Sequence, residues 1–172
     1  MEDSLSIIFS VLVALVIMFI VPLMDTWELQ DNLSYVVTYA AVTDFVDTCR
    51  NVGYVSLQSY LNFQQKLAST GNTFAISMEH RDQKQIPFTD AGGNTSTRTV
   101  YLNSYTRQIE QELYKPDGGT YPLGKYDYFY VTVKNTNLTQ ASIINKLVAN
   151  DSTNFKIGCA YGGCVWSTSS ED

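Results

Sequence analysis

Three cysteines and one histidine are the side chains of this 172-residue sequence best suited to covalent or metal chemistry. Cys159 and Cys164 stand in Gly158-Cys159-Ala160-Tyr161-Gly162-Gly163-Cys164, whereas Cys49 is distant in sequence. With Gly162-Gly163 able to turn, a hairpin closed by a Cys159–Cys164 disulfide is geometrically reasonable. So short a loop would contribute at the low end of about 2–4 kcal/mol. The competing reading is zinc, but the spacing exceeds C-x-x-C and His80 is the sole histidine. A disulfide would place the domain outside the reducing cytosol, with Cys49 left as a buried thiol on a helix. His80, between Glu79 and Arg81, reads as a surface residue at a strand end. No G-x-S-x-G, P-loop or H-E-x-x-H motif is present. The glycine-containing loops at Asp90–Asn94 and Asp117–Gly119 do not match a calcium loop. The expectation is a non-enzymatic protein with no cofactor and no metal.

The elements around these residues are more informative. Leu5 to Met24 is an uncharged run of 20 residues, LSIIFSVLVALVIMFIVPLM. As a helix it spans about 30 Å, the thickness of a bilayer core. A secretory signal has a basic start, a shorter apolar stretch and a small-residue cleavage site. This run instead follows Glu2-Asp3 and ends in Pro22-Leu23-Met24-Asp25, so an uncleaved span is the better reading. Charge before Arg50 is all acidic: Glu2, Asp3, Asp25, Glu28, Asp31, Asp44 and Asp47. An ordinary anchor carries Lys or Arg on its cytoplasmic side. Either a basic leader preceded Met1 and was removed, or the acidic N-terminus itself crosses the membrane.

Helical character continues from Asp25 to Arg50, where no Gly or Pro occurs, and stops near Gly53. Leu29, Leu33, Val36 and Ala40 follow helical spacing, and Val42, Phe45, Val46 and Cys49 occupy another side. Different neighbours at different heights should therefore cover the helix. Pro22 removes a helical hydrogen bond and should kink or locally melt it. Ser56 can cap a helix over Leu57–Ser69, and Thr73–Glu79 alternates as a half-buried strand. Arg81–Thr97 reads as an exposed polar loop, and Asn103–Tyr114 as a short helix. Lys115–Gly119 is a turn and Tyr126–Lys134 a strand. Thr139 can cap a helix through Val148, and Phe155–Val165 is a final strand or hairpin. The fold class is α+β: a hydrophobic and amphipathic N-terminal helix over residues 1–52, then a small head over 53–172 with a short, mainly antiparallel sheet.

A net charge of −6, from 11 basic and 17 acidic residues without a basic cluster, argues against nucleic acid. Charged residues are 16% of the chain, against roughly 25% in an average soluble protein. Uncharged polar surfaces of this kind suit secreted proteins that pack against one another. Tyr126, Tyr128 and Tyr130 fall on one face of a strand by alternation. Sheet packing is the favoured reading of that face and a subunit contact the functional one. Four Asn-x-Ser/Thr sequons, at Asn32, Asn94, Asn137 and Asn150, are a chance-prone pattern in so Asn- and Thr-rich a chain.

Taken together, Leu5–Met24 with Pro22, then Gly53, Tyr60-Leu61-Asn62-Phe63, Thr70-Gly71-Asn72-Thr73-Phe74, Asp127-Tyr128-Phe129 and Tyr161-Gly162-Gly163 resemble the type IV pilins. The likeness is nearest to tight-adherence-type pilin-like and pseudopilin subunits of Gram-positive bacteria. It implies a subunit held in the bacterial cell membrane before assembly. Inner-membrane machinery then draws the subunit into an extracellular helical filament of identical subunits. The residues implied in the stem are Glu2, Asp3, Leu5, Ile8, Phe9, Val13, Ile17 and Pro22. Many pilins carry a glutamate where this chain has Leu5, and Glu2 or Asp3 could substitute for it. The alternative is a single-pass anchored surface protein whose head binds a partner.

Overall fold

A computed structural model describes residues 2–90, 92–116, 119–149 and 157–167. Met1, Ala91, Asp117, Gly118, the sequon at Asn150, Phe155 and the tail beyond Ser167 lie outside them, as do the side chains of Glu2, Asp3 and Leu5. The fold is α+β, with a long N-terminal apolar helix and an antiparallel sheet. Helix α1 (Glu2–Val52) is followed by β1 (Tyr54–Ser56), α2 (Leu57–Ala68), β2 (Phe74–Thr89) and β3 (Thr95–Tyr105). Then come α3 (Thr106–Leu113), β4 (Thr120–Pro122), β5 (Tyr128–Asn135), α4 (Gln140–Ala149) and β6 (Gly158–Cys164). The chain divides into two compact units, Met1–Tyr35 with Leu138–Ile157, and Val36–Asn137 with Gly158–Asp172.

In the first unit Thr139 caps α4 as its position suggests, its hydroxyl accepting from Ser142 N and donating to Asp31 Oδ2 at 2.6 Å. The short bond ties α4 to α1 through a buried carboxylate.

The second unit holds the hydrophobic core. Its main sheet runs β3-β2-β5-β6 with every pair antiparallel, and β1 and β4 form a separate two-stranded sheet. Period-two alternation along β5 buries Phe129, Val131 and Val133 against Val42, Phe45, Val46 and Cys49 of α1 and Tyr60, Phe63 and Leu67 of α2. Phe45 stacks on Phe63 with ring centroids 4.5 Å apart and meets Phe129 edge-on at 6.3 Å. Ser56 caps α2, accepting from Ser59 N at 3.1 Å. Asn103–Tyr105 continue β3, so α3 starts only at Thr106, whose hydroxyl accepts from Met78 N at 2.7 Å.

Two sequence expectations are overturned here. Arg81–Thr97 is not a loop: β2 runs to Thr89 and pairs with β3 down to Thr89–Thr95. Hydrogen bonding to a partner strand makes this stretch extended although its composition is polar. Nor is there a hairpin around the cysteines. β6 is one continuous strand paired with β5 from Lys134–Gly158 to Tyr128–Cys164, and all three thiols are free. Cys159 and Cys164 lie at its two ends, roughly 17 Å apart at strand rise and on opposite faces, far beyond the reach of about 7 Å for a disulfide.

This arrangement predicts unequal thiol reactivity. Cys49 is buried, and burial pushes its thiol up to about 12. Cys159 is half-buried and is also pushed up by burial, and Cys164 is half-buried at the strand end. The thiolate is the reactive form. At pH 8, alkylation monitored by mass spectrometry is expected to modify Cys159 and Cys164 before Cys49, which should react only after denaturation. Rapid native labelling of Cys49, or a mass consistent with a 159–164 disulfide, would contradict this packing.

Candidate functional site: the uncovered helix and the tyrosine sheet

Helix α1 is 51 residues long, about 77 Å at 1.5 Å per residue. Its apolar part is long and apolar enough to cross a membrane, and none of that window is buried within the chain. Ile8, Phe9, Val13 and Ile17 are all exposed, as are Ile7, Leu12, Phe19 and Leu23. Phe9, Val13 and Ile17 repeat at i, i+4 and i+8, so they project from successive turns on neighbouring positions of one side. Two hydroxyls of α1 are satisfied within the helix. Ser10 Oγ donates to Ser6 O at 2.8 Å and Thr26 Oγ1 to Pro22 O at 2.8 Å, which a hydrocarbon environment requires. Pro22 lies inside the helix, and the helix runs on through it without interruption. The expected local melting is therefore absent. The helix accommodates the missing N–H as membrane helices commonly do.

Above the span, the helix presents two sides. The positions Val42, Phe45, Val46 and Cys49 are buried in the core, whereas Leu29, Leu33 and Val36 are 67%, 64% and 60% exposed. The expected neighbour for that stripe is not supplied by the chain's own described residues. Asp25, Leu29, Leu33, Val36 and Ala40, spaced by four, four, three and four, form one line along the helix.

The helix ends in a polar clamp on β6. Arg50 Nε donates to Cys164 O at 2.7 Å, and Nη1 contacts Asp47 Oδ1 at 2.9 Å, which also accepts from Tyr161 OH at 3.2 Å. Arg50 O accepts from Trp166 N, and the guanidinium lies 6.0 Å from the Trp166 ring centroid. A Cβ at Gly163 would stand 2.8 Å from Arg50 Cζ.

Of the three tyrosines placed on one face, two are there. Tyr128 and Tyr130 stack at 6.3 Å with an interplanar angle of 13°. Tyr126 is not, because β5 begins at Tyr128 and Tyr126 sits in the preceding turn at φ 73°. Arg81 lies over Tyr130 at 5.5 Å while its Nε donates to Glu79 Oε1. Arg81, Tyr101, Asn103, Tyr128 and Tyr130 line an open cleft of about 410 Å³. Tyr130 also leans over Gly162 of β6. A Cβ at Gly162 would meet that ring and come 2.7 Å from Phe129 O. Gly162→Ala is therefore expected to cost about 1–3 kcal/mol, read as a lower urea midpoint. An unchanged midpoint would show that the β5–β6 pairing relaxes freely.

His80, expected at the surface, is buried. Its Nε2 donates to Asp127 Oδ2 at 2.9 Å, and in that tautomer Nδ1 accepts from Tyr121 OH at 2.8 Å. Asp127 further accepts from Gly124 N at 2.7 Å and from Gln83 N at 2.8 Å. Burial, chiefly, pushes the Tyr121 phenol above its ordinary value, which keeps it protonated. The network fastens the 124–127 turn to β2. The signal for it was in the sequence: Phe74, Ile76, Met78 and His80 share one strand face, so continuing the alternation puts His80 inward.

Compared with protein-family models, with curated proteins and with solved structures, the chain matches none.

Proposed function

We propose that this chain is a structural subunit of an extracellular filament of the type IV pilus kind. It is held in a bacterial cell membrane before assembly and packed through its N-terminal helix into a fibre of identical subunits. The observation that carries this reading is the uncovered apolar surface of α1, which continues beyond the membrane-length run to Leu29, Leu33 and Val36. A simple anchor needs only a segment that matches the bilayer. An apolar line prolonged past an acidic belt at Asp25 and Glu28 has no use for lipid at that height. A bundle of equivalent helices would cover both parts, replacing hydrocarbon by neighbouring stems. Repetition of one heterologous contact by a screw operation gives an open filament.

Electron microscopy of material sheared from the cell surface, with mass spectrometry of its protein, tests the proposal. Fibres containing this chain are the expected result. Recovery of the chain only from detergent-extracted membranes would favour the anchored surface protein and turn attention to the tyrosine sheet as a binding face.

A further inference from the structure

The β2–β3 hairpin extends well past the sheet that supports its base. β5 pairs with β2 only from Phe74 to Arg81, so within the sheet Asp82–Thr89 have β3 as their sole partner strand. That leaves a two-stranded ribbon roughly 26 Å long, a structure of marginal stability in water without something to pack against. Its two faces differ. Opposite residues of an antiparallel ladder share a face, which places Ile86, Phe88, Arg98, Val100 and Leu102 together with Ser96 and the ion-paired Asp82 and Lys84. Ile86, Phe88 and Leu102 are 49%, 53% and 52% exposed. The other face carries Gln83, Gln85, Thr97 and Thr99 with Tyr101.

The β2 edge of the ribbon is unsuited to strand addition. Gln83 N points to the β5 side, where Asp127 accepts it. Backbone donors alternate along a strand, so Gln85 and Pro87 face the same open edge, and Pro87 has no N–H to offer. The β2 edge is thus closed to strand addition, the outer edge of β3 stays open, and the apolar face is the surface that a partner would stabilise by burial.

We propose that this face docks on the Asp25–Leu29–Leu33–Val36 line of α1 in a second copy of the chain. The inference rests on the filament reading and specifies one of its contacts. Each surface is largely apolar with one unpaired charge of opposite sign: Arg98 beside Ile86, Phe88, Val100 and Leu102, where Lys84 and Asp82 neutralise each other at 3.1 Å, and Asp25 at the foot of Leu29, Leu33 and Val36. Neither Arg98 nor Asp25 takes part in an ion pair among the described residues. Helix residues before Arg50 include no Lys or Arg, so the unpaired Arg98 of the ribbon meets a uniformly acidic helix segment. Because hairpin binds helix and not hairpin, the partner's own hairpin is left to engage a third copy, so the contact can be repeated as a filament requires.

The test uses the full chain expressed in membranes, with fibre yield and cross-linking read in parallel. Two tagged copies, both carrying Cys159→Ser and Cys164→Ser, one with Ile86→Cys and the other with Leu33→Cys, are co-expressed and treated with a short thiol cross-linker. A mixed-tag product absent from either variant alone is expected. In the second arm, Arg98→Glu or Asp25→Arg lowers fibre yield about tenfold, the equivalent of about 1.4 kcal/mol, and the double variant restores it. Fibres that form without the mixed product, or single and double variants that are equally impaired, overturn the docking and leave the filament reading standing. A product from Ile86→Cys alone overturns it in favour of self-pairing. Quenching of a label at Ile86→Cys by a lipid-borne quencher, unchanged by Leu33→Asp in the partner copy, overturns it in favour of a membrane surface. Wild-type chain that yields no fibres and no mixed product sinks both readings together.

Discussion

Val13→Asp is expected to leave the chain in the membrane, fold its sheet normally and abolish filaments. The magnitudes separate these outcomes. Leu, Ile, Phe and Val each favour insertion by about 0.3–0.6 kcal/mol near the centre of a span, and a central aspartate opposes it by about 2.5–3.5 kcal/mol. The fourteen such side chains between Leu5 and Met24 together supply roughly 6 kcal/mol, so the span survives one aspartate. A fibre core is less forgiving. Every subunit would bury the same carboxylate among neighbouring apolar stems, with no basic side chain before Arg50 to pair with it. Membrane fractionation together with microscopy of sheared material reads both quantities. Filaments at wild-type yield would refute the role given to α1, and loss from the membrane would show that insertion is the more delicate step.

Asp127→Ala is expected to be the most damaging single change in the second unit. It removes the acceptor of His80 Nε2, Gly124 N and Gln83 N together. A buried donor without a partner costs about 1–3 kcal/mol, and three donors lose theirs here. A loss of about 4 kcal/mol is a large share of the roughly 5–15 kcal/mol available to a domain. Urea denaturation of the detergent-solubilised chain should show it, with Asp127→Asn intermediate because its carbonyl still accepts. A shift below about 1 kcal/mol would mean that the turn is held by its other contacts.

The elements with a strong local signal were legible in the sequence. The uncharged run gave α1, the Ser56 and Thr139 hydroxyls marked the starts of α2 and α4, and alternation marked the beginning of β2 and the body of β5. What escaped was non-local. The ribbon beyond Arg81 is mostly Asp, Gln, Lys, Thr and Arg, and its apolar alternation is confined to Ile86 and Phe88 on one strand and Val100 and Leu102 on the other, too short to announce it. Its strand character comes from the register with β3. The glycines of β6 read as a turn because their reason lies elsewhere in the fold, in the Tyr130 ring over Gly162 and the Arg50 guanidinium beside Gly163. Tyr126 fell off its face because the chain takes a positive φ one residue before Asp127, a turn dictated by the buried carboxylate. Ile8, Phe9, Val13, Ile17 and Pro22 could be placed on the helix from sequence, but the exposed continuation through Leu29, Leu33 and Val36 could not be distinguished from a covered one.

The clamp between Arg50 and Cys164 joins partners 114 positions apart. At about 5–20 residues per second, synthesis of the intervening chain takes roughly 6–23 seconds. Only at the end of that interval does β6 complete the sheet that covers Val42, Phe45, Val46 and Cys49. An N-terminal helix already lodged in a bilayer would tether each nascent chain apart from its neighbours during this vulnerable period. The same segment proposed to join finished subunits would thus first keep unfinished ones from meeting.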